Sequence, residues 1–208
     1  MLPIELRTAA AFRDAFNTGL RQLLDTDGLG VTILLLANAA NDPAVWREFE
    51  PALKARFAEL DSRYRQALRR GGSIAETDDD LMVFLKLMVI GFDAVETRTV
   101  RNEGPWELQF NPVRSFRPRR MTGQRVDGLS RPFDPDGFHF NRPFLRKEIF
   151  WEGELLGRNA RLLYNKFPFE TLHSILVPGP EENRAQLLTE RDHLYVWRLI
   201  QAMSENIP

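Results

Sequence analysis

The 208-residue chain has no cysteine and only three histidines. The first absence excludes disulfides, thiolate zinc sites and a thiol nucleophile, and it fits the expected cytoplasmic location. Charge of one sign is also lacking: 28 Lys and Arg face 29 Asp and Glu, a net charge of -1. No global field draws such a chain to nucleic acid or to anionic lipid, so neither is an expected partner. Long hydrophobic runs are missing as well. VTILLLANAA and LMVFLKLMVIGF are too short or too interrupted to span a bilayer, and the first residues carry no basic-then-apolar leader pattern. No internal repeat or low-complexity tract occurs. What remains is an ordinary globular composition, 43% hydrophobic and 27% charged.

Helical signals dominate the first 91 residues. Thr8 is a candidate N-cap for a helix over 8–26, with Phe12, Phe16, Leu20, Leu23 and Leu24 at helical spacing, and Asp27-Gly28 breaks it. The apolar run 31–37 fits helix or strand equally. Asp42-Pro43 reads as an N-cap followed by proline at the first helical position. The helix it starts runs to about Arg70, with Trp46, Phe49, Leu53, Phe57, Leu60 and Tyr64 on one face and Pro51 as a candidate kink near its start, and Gly71-Gly72 ends it. Thr77 or one of Asp78–Asp80 caps a third helix over 81–90. Capping, rather than a metal site, is the expected role of the aspartates, because three in a row cannot all point one way.

From Phe92 the pattern changes. VETRTV and WELQF alternate around the turn RNEGP, a hairpin signal. An Arg-, Pro- and Gly-rich stretch over 111–147 follows, with enough phenylalanines to pin it down. Three strands are predicted over 148–156, 161–168 and 173–178. A last helix is capped by Thr189 and Asp192, with Val196, Trp197, Ile200 and Met203 as its stripe. Trp106, Phe110, Phe150 and Trp151 are expected mostly in the core. The fold class is α+β: a helical region over 1–91, then a sheet-bearing region over 92–208 expected to form one compact unit.

The order strand, Asn165, Pro168, His173, apolar strand, Pro178, then LLTERD resembles the histidine-triad superfamily. QFNPVRSF at 109–116 and RPFDPDGFHFN at 131–141 are similar to its phosphorylase and nucleotidyltransferase branch, which includes GDP-hexose phosphorylases, diadenosine-tetraphosphate phosphorylases and ATP adenylyltransferases. The resemblance covers roughly 92–205 and implies a histidine-triad-like antiparallel sheet and a nucleotide or nucleotide-sugar ligand. The chain departs from the pattern in two ways. His139, His173 and His193 include no His-x-His pair, the signature that carries the nucleophile, and no Cys-x-x-Cys zinc site is possible. The expectation is an incomplete sheet, little or no turnover by the chain alone, and no cofactor. The open sheet edge is expected to be covered by self-association, by the N-terminal region or by a second chain. A non-catalytic interaction module and a truncated reading frame are the alternatives.

Each candidate residue has a plainer reading. Asn165 suits a ribose hydroxyl, as the resemblance implies, or an Asx-turn before Pro168. His173 suits a position beside phosphate, which would favour its protonated form, or a partly buried ring bonded to backbone. Arg114 offers a planar donor fork for phosphate, or is a solvated loop charge. Arg117, Arg119, Arg120, Arg125 and Arg131 are expected to be solvated loop charges. Lys166 is within reach of phosphate, though a lysine after a strand needs no special role. His139 and His193 are expected to be structural.

Overall fold

The computed structural model describes residues 2–71, 78–118, 133–184, 187 and 189–204. Gly72, Thr77 and the arginines at 119, 120, 125 and 131 lie outside the described residues, as does the chain end at 205–208. Among the described residues the longer elements are α1 (Ala9–Leu23), α2 (Leu29–Ala40), α3 (Pro43–Arg69), α4 (Asp78–Ile90), β1 (Arg98–Glu103), β2 (Trp106–Phe110), the single turn α5 (Pro112–Ser115), β3 (Ile149–Leu155), β4 (Arg158–Tyr164), β5 (Ser174–Pro178) and α6 (Glu190–Ser204). The fold is α+β. The chain divides into two compact units: 1–20 with 121–164 and 174–208, and 21–120 with 165–173. No helix among the described residues is long and apolar enough to cross a membrane.

In the first unit, β3, β4 and β5 form an antiparallel sheet in that order. Leu156 (φ 51) and Gly157 (φ 78) make the two-residue turn between β3 and β4, both in the left-handed region that matches strand twist. Leu155, Ala160, Leu162 and Leu163 are buried on this sheet, with Leu2 and Leu6 before α1 and Tyr195 and Leu199 of α6. Tyr164 closes the core. Its hydroxyl donates to the Phe16 carbonyl at 2.7 Å, and Phe16 and Phe150 meet its ring at 4.8 Å each. Burial pushes the Tyr164 phenol well above its usual range, so it stays a neutral donor. Gly19 belongs to this contact, because a β-carbon there would lie 2.2 Å from the Tyr164 hydroxyl oxygen.

Strand β4 ends at Tyr164, short of the predicted 168. Asn165 captures the Phe167 N–H at 3.0 Å and Pro168 has no N–H to give a ladder. The same unit holds a buried ion network. Asp192 accepts from Arg158 at 3.0 Å, from Arg184 at 2.8 and 2.5 Å, and from the Thr189 hydroxyl at 2.7 Å. Thr189 Oγ1 accepts from the Asp192 N–H in return, so the predicted pair does cap α6. Glu182 binds Arg158 from the other side at 2.9 Å.

The second unit is built around α2, in which all residues but Gly30 are buried. The ambiguous run 31–37 is therefore a helix that is buried all round, which erases the periodicity that would identify it. Helix α3 starts as predicted: Asp42 Oδ1 accepts from Ala44 N at 2.9 Å, Pro43 stands at the first turn, and the helix is continuous through Pro51. Its buried face is the predicted one. Trp46, Phe57 and Tyr64 meet Phe92 and Phe84 at ring separations of 5.4 to 5.7 Å. The hairpin β1–β2 also forms, but Trp106 and Phe110 are 73% and 63% exposed, contrary to the expected core positions. A two-stranded sheet has only one layer, and alternation marks two faces without saying that either is covered. Phe150 and Trp151 are half-buried.

Candidate functional site

Residues 165–173 link β4 to β5 and pack within the second unit. The loop closes on itself where the Asn165 N–H donates to the His173 carbonyl at 3.2 Å. Side chains from the helical body then hold it. Asn38 donates to the Asn165 carbonyl at 3.1 Å, Asn111 to the Pro168 carbonyl at 3.2 Å, and Arg114 to the Phe167 carbonyl at 2.5 Å. Thr171 donates back to the Asn41 carbonyl at 2.8 Å. Asn111 also caps α5, accepting from the Arg114 N–H at 2.9 Å, so one side chain places both the loop and the arginine.

Asn165 and His173 face each other, with Nδ2 of the first 3.2 Å from Nε2 of the second. Asn165 Oδ1 is engaged by the Phe167 N–H, so the Asx-turn and the side-chain pairing coexist. The other imidazole nitrogen of His173, Nδ1, lies 3.3 Å from the Phe169 N–H. Nδ1 thus acts as an acceptor, a role it loses in the doubly protonated imidazolium. Its proton affinity is lowered by burial and then by the positive charge of Arg114, against the opposing pull of Glu170. The preceding Leu172 has φ 60, a left-handed conformation costing a side-chain-bearing residue about 1–2 kcal/mol.

Arg114 lies 4.9 Å above the ring of the exposed Phe169, which meets His173 edge-on at 4.3 Å. Arg114 makes no ion pair with a carboxylate among the described residues. Asn165, His173 and Arg114 belong to one cluster. Lys166 turns away to form an ion pair with Asp80 against the backbone of Gly30. Asp80 is in the first turn of α4, where capping was expected. Arg117 is exposed. His139 accepts at Nδ1 from the Asn141 N–H at 3.2 Å, and its Nε2 lies 3.2 Å from the Pro135 carbonyl, while His193 sits in the first turn of α6. Among the described residues no cluster of His, Asp and Glu could hold a metal ion.

Three participants escaped the sequence reading. Asn38 is one of two polar residues, with Thr32, in VTILLLANAA, a usable signal. Asn111 stands beside a proline, as capping residues often do. Phe169 carried no signal, since an aromatic residue in a loop is more often packing.

No family model matches the chain, and no solved structure does. Over 97 residues it is 30% identical to GDP-D-glucose phosphorylase 1 of Danio rerio. That match takes in 47% of this chain and 28% of the relative, so the chain corresponds to less than a third of that protein's length.

Proposed function

We propose that the cluster of Arg114, Asn165, Phe169 and His173 binds the phosphate-bearing part of a nucleoside diphosphate or nucleotide sugar. The observation that carries this reading is the convergence of polar and cationic groups. The amide of Asn165, the imidazole and an arginine that makes no ion pair with a carboxylate among the described residues gather at one loop, and an exposed ring lies beside them. Phosphate oxygens accept hydrogen bonds and carry negative charge, the complement of the Arg114 guanidinium. An arriving phosphate would reverse the balance at His173 and favour its protonated form. The partial likeness to a phosphorylase that its name links to GDP-glucose supports the nucleotide-sugar class. Lys166 is a secondary participant, available only if its pair with Asp80 opens.

The three histidines of this chain include no His-x-His pair, so the proposed role is binding, with little or no turnover by this chain alone. Calorimetric titration with GDP, GDP-glucose, ADP and inorganic phosphate tests it. Binding of the diphosphates that weakens at least tenfold in Arg114→Met is the expected result, in line with a charge-assisted contact. No binding by any of the four, or equal binding by the variant, would overturn the proposal. Robust phosphorolysis of GDP-glucose by the purified chain would overturn the binding-only part.

A further inference from the structure

Strand β2 presents Trp106, Leu108 and Phe110 on one face of its hairpin, 73%, 48% and 63% exposed. Every residue of the strand is exposed. Among the described residues β1 is its sheet neighbour, so its second edge has no strand against it. A lone two-stranded hairpin is marginal in water, and a strand with a free edge and an apolar row invites another strand.

We propose that β2 pairs antiparallel with β2 of a second copy of this chain, about a twofold axis at Leu108. The sequence WELQF is self-complementary in that register. Trp106 falls opposite the partner's Phe110, and Leu108 opposite the partner's Leu108. On the other face Glu107 falls opposite the partner's Gln109. Within one copy Gln109 Nε2 already donates to Glu107 Oε1 at 2.5 Å, so the same two groups can exchange partners across the axis. No like charges meet. Strand β1 is the poorer edge: it holds Arg98, Arg101 and Glu103, and its ladder is interrupted between Thr99 and Arg101. Aromatic side chains bury ~150–250 Å² each, so the exposed portions of both rows amount to roughly 500–700 Å². That is below the ~1,200 Å² of a standard stable interface, so the dimer exchanges with monomer on dilution.

The missing cysteines make a direct test available. Leu108→Cys introduces the chain's only thiol, at the axis, where facing α-carbons of an antiparallel pair are about 4.5–5.5 Å apart, within disulfide reach. The expected result is rapid covalent dimer formation under mild oxidation, with Asp93→Cys, an exposed position off the hairpin, remaining mostly monomeric. Sedimentation velocity over a dilution series of the unmodified chain should show a monomer–dimer equilibrium. Gln109→Glu, which sets two like-charge pairs across the axis, should weaken it about 2- to 30-fold, and Trp106→Ala should abolish it. A monomer at every concentration, or cross-linking at 108 no faster than at 93, would overturn the proposal. So would a dimer indifferent to Trp106→Ala and Gln109→Glu.

Discussion

Replacing Asp192 by asparagine removes one negative charge from a site where four charges balance: Arg158 and Arg184 against Glu182 and Asp192. The carboxylate is 7% exposed and the Arg158 side chain 8%. Asparagine keeps the shape and one acceptor for the Thr189 cap, but its NH2 then faces the donors of Arg158 and Arg184, so charge and acceptor are lost together. Removing one partner of a buried pair costs about 3–5 kcal/mol. Because Arg184 is 32% exposed and Glu182 stays beside both arginines, about 3 kcal/mol is expected. For a chain of this size that lowers the melting temperature by roughly 6–12 °C.

A pH series separates this electrostatic account from a packing one. Hydrogen bonds from Arg184 above all, then from Thr189 and Arg158, hold the Asp192 carboxyl far below the usual carboxylate range despite its burial. A carboxylate with a depressed folded-state value stabilises fully above its unfolded value, about 3.9. The contribution drains away as pH falls below that point, at about 1.4 kcal/mol per pH unit. The gap between the parent chain and Asp192→Asn, measured by thermal denaturation, should hold steady from pH 7 to about 4 and then narrow by roughly 1 kcal/mol by pH 3. A variant within ~0.5 kcal/mol of the parent at pH 7, or a gap that ignores pH down to 3, would refute the reasoning.

Gly19→Ala should cost about 1–3 kcal/mol by overpacking, and less in a Tyr164→Phe background, because the hydroxyl it strikes is then gone; paired urea melts read the difference. His173 should titrate below the ordinary histidine range by NMR. Arg114→Met should raise its midpoint and Glu170→Gln should lower it, and a midpoint unmoved by either would contradict the assigned causes. Since the folded ring takes up protons less readily than the unfolded one, this residue's share of stability is lost as pH falls through about 6.5.

Much of the architecture was legible where local chemistry is self-sufficient. Asp42-Pro43, Thr8 and the Thr189–Asp192 pair cap their helices with their own side chains, and such signals survive any tertiary context. The character of 31–37 was not legible, because burial on every side leaves no polar face to set a period. The placement of Trp106 and Phe110 failed for a related reason: alternation reports faces, and coverage is a tertiary fact. The spacing of Asn165 and His173 did identify two residues that meet. It could not reveal that Lys166 is occupied by Asp80, a partner 86 positions away. Nor could it reveal that an Asx-turn and a side-chain pairing share one amide.

The division of the chain has a consequence for how the candidate site is assembled. Arg114 and the loop it holds are 53 positions apart at their hydrogen bond, and the intervening chain belongs mostly to the other unit. During synthesis the helical body emerges first, with the arginine displayed before its loop exists. Closing the site then costs the entropy of a long loop and waits until residue 173 has left the ribosome. A cut between residues 120 and 165 would leave two fragments, one carrying Arg114 and the other Asn165, Phe169 and His173. Recovery of the proposed GDP affinity on mixing such fragments would therefore report complementation between them.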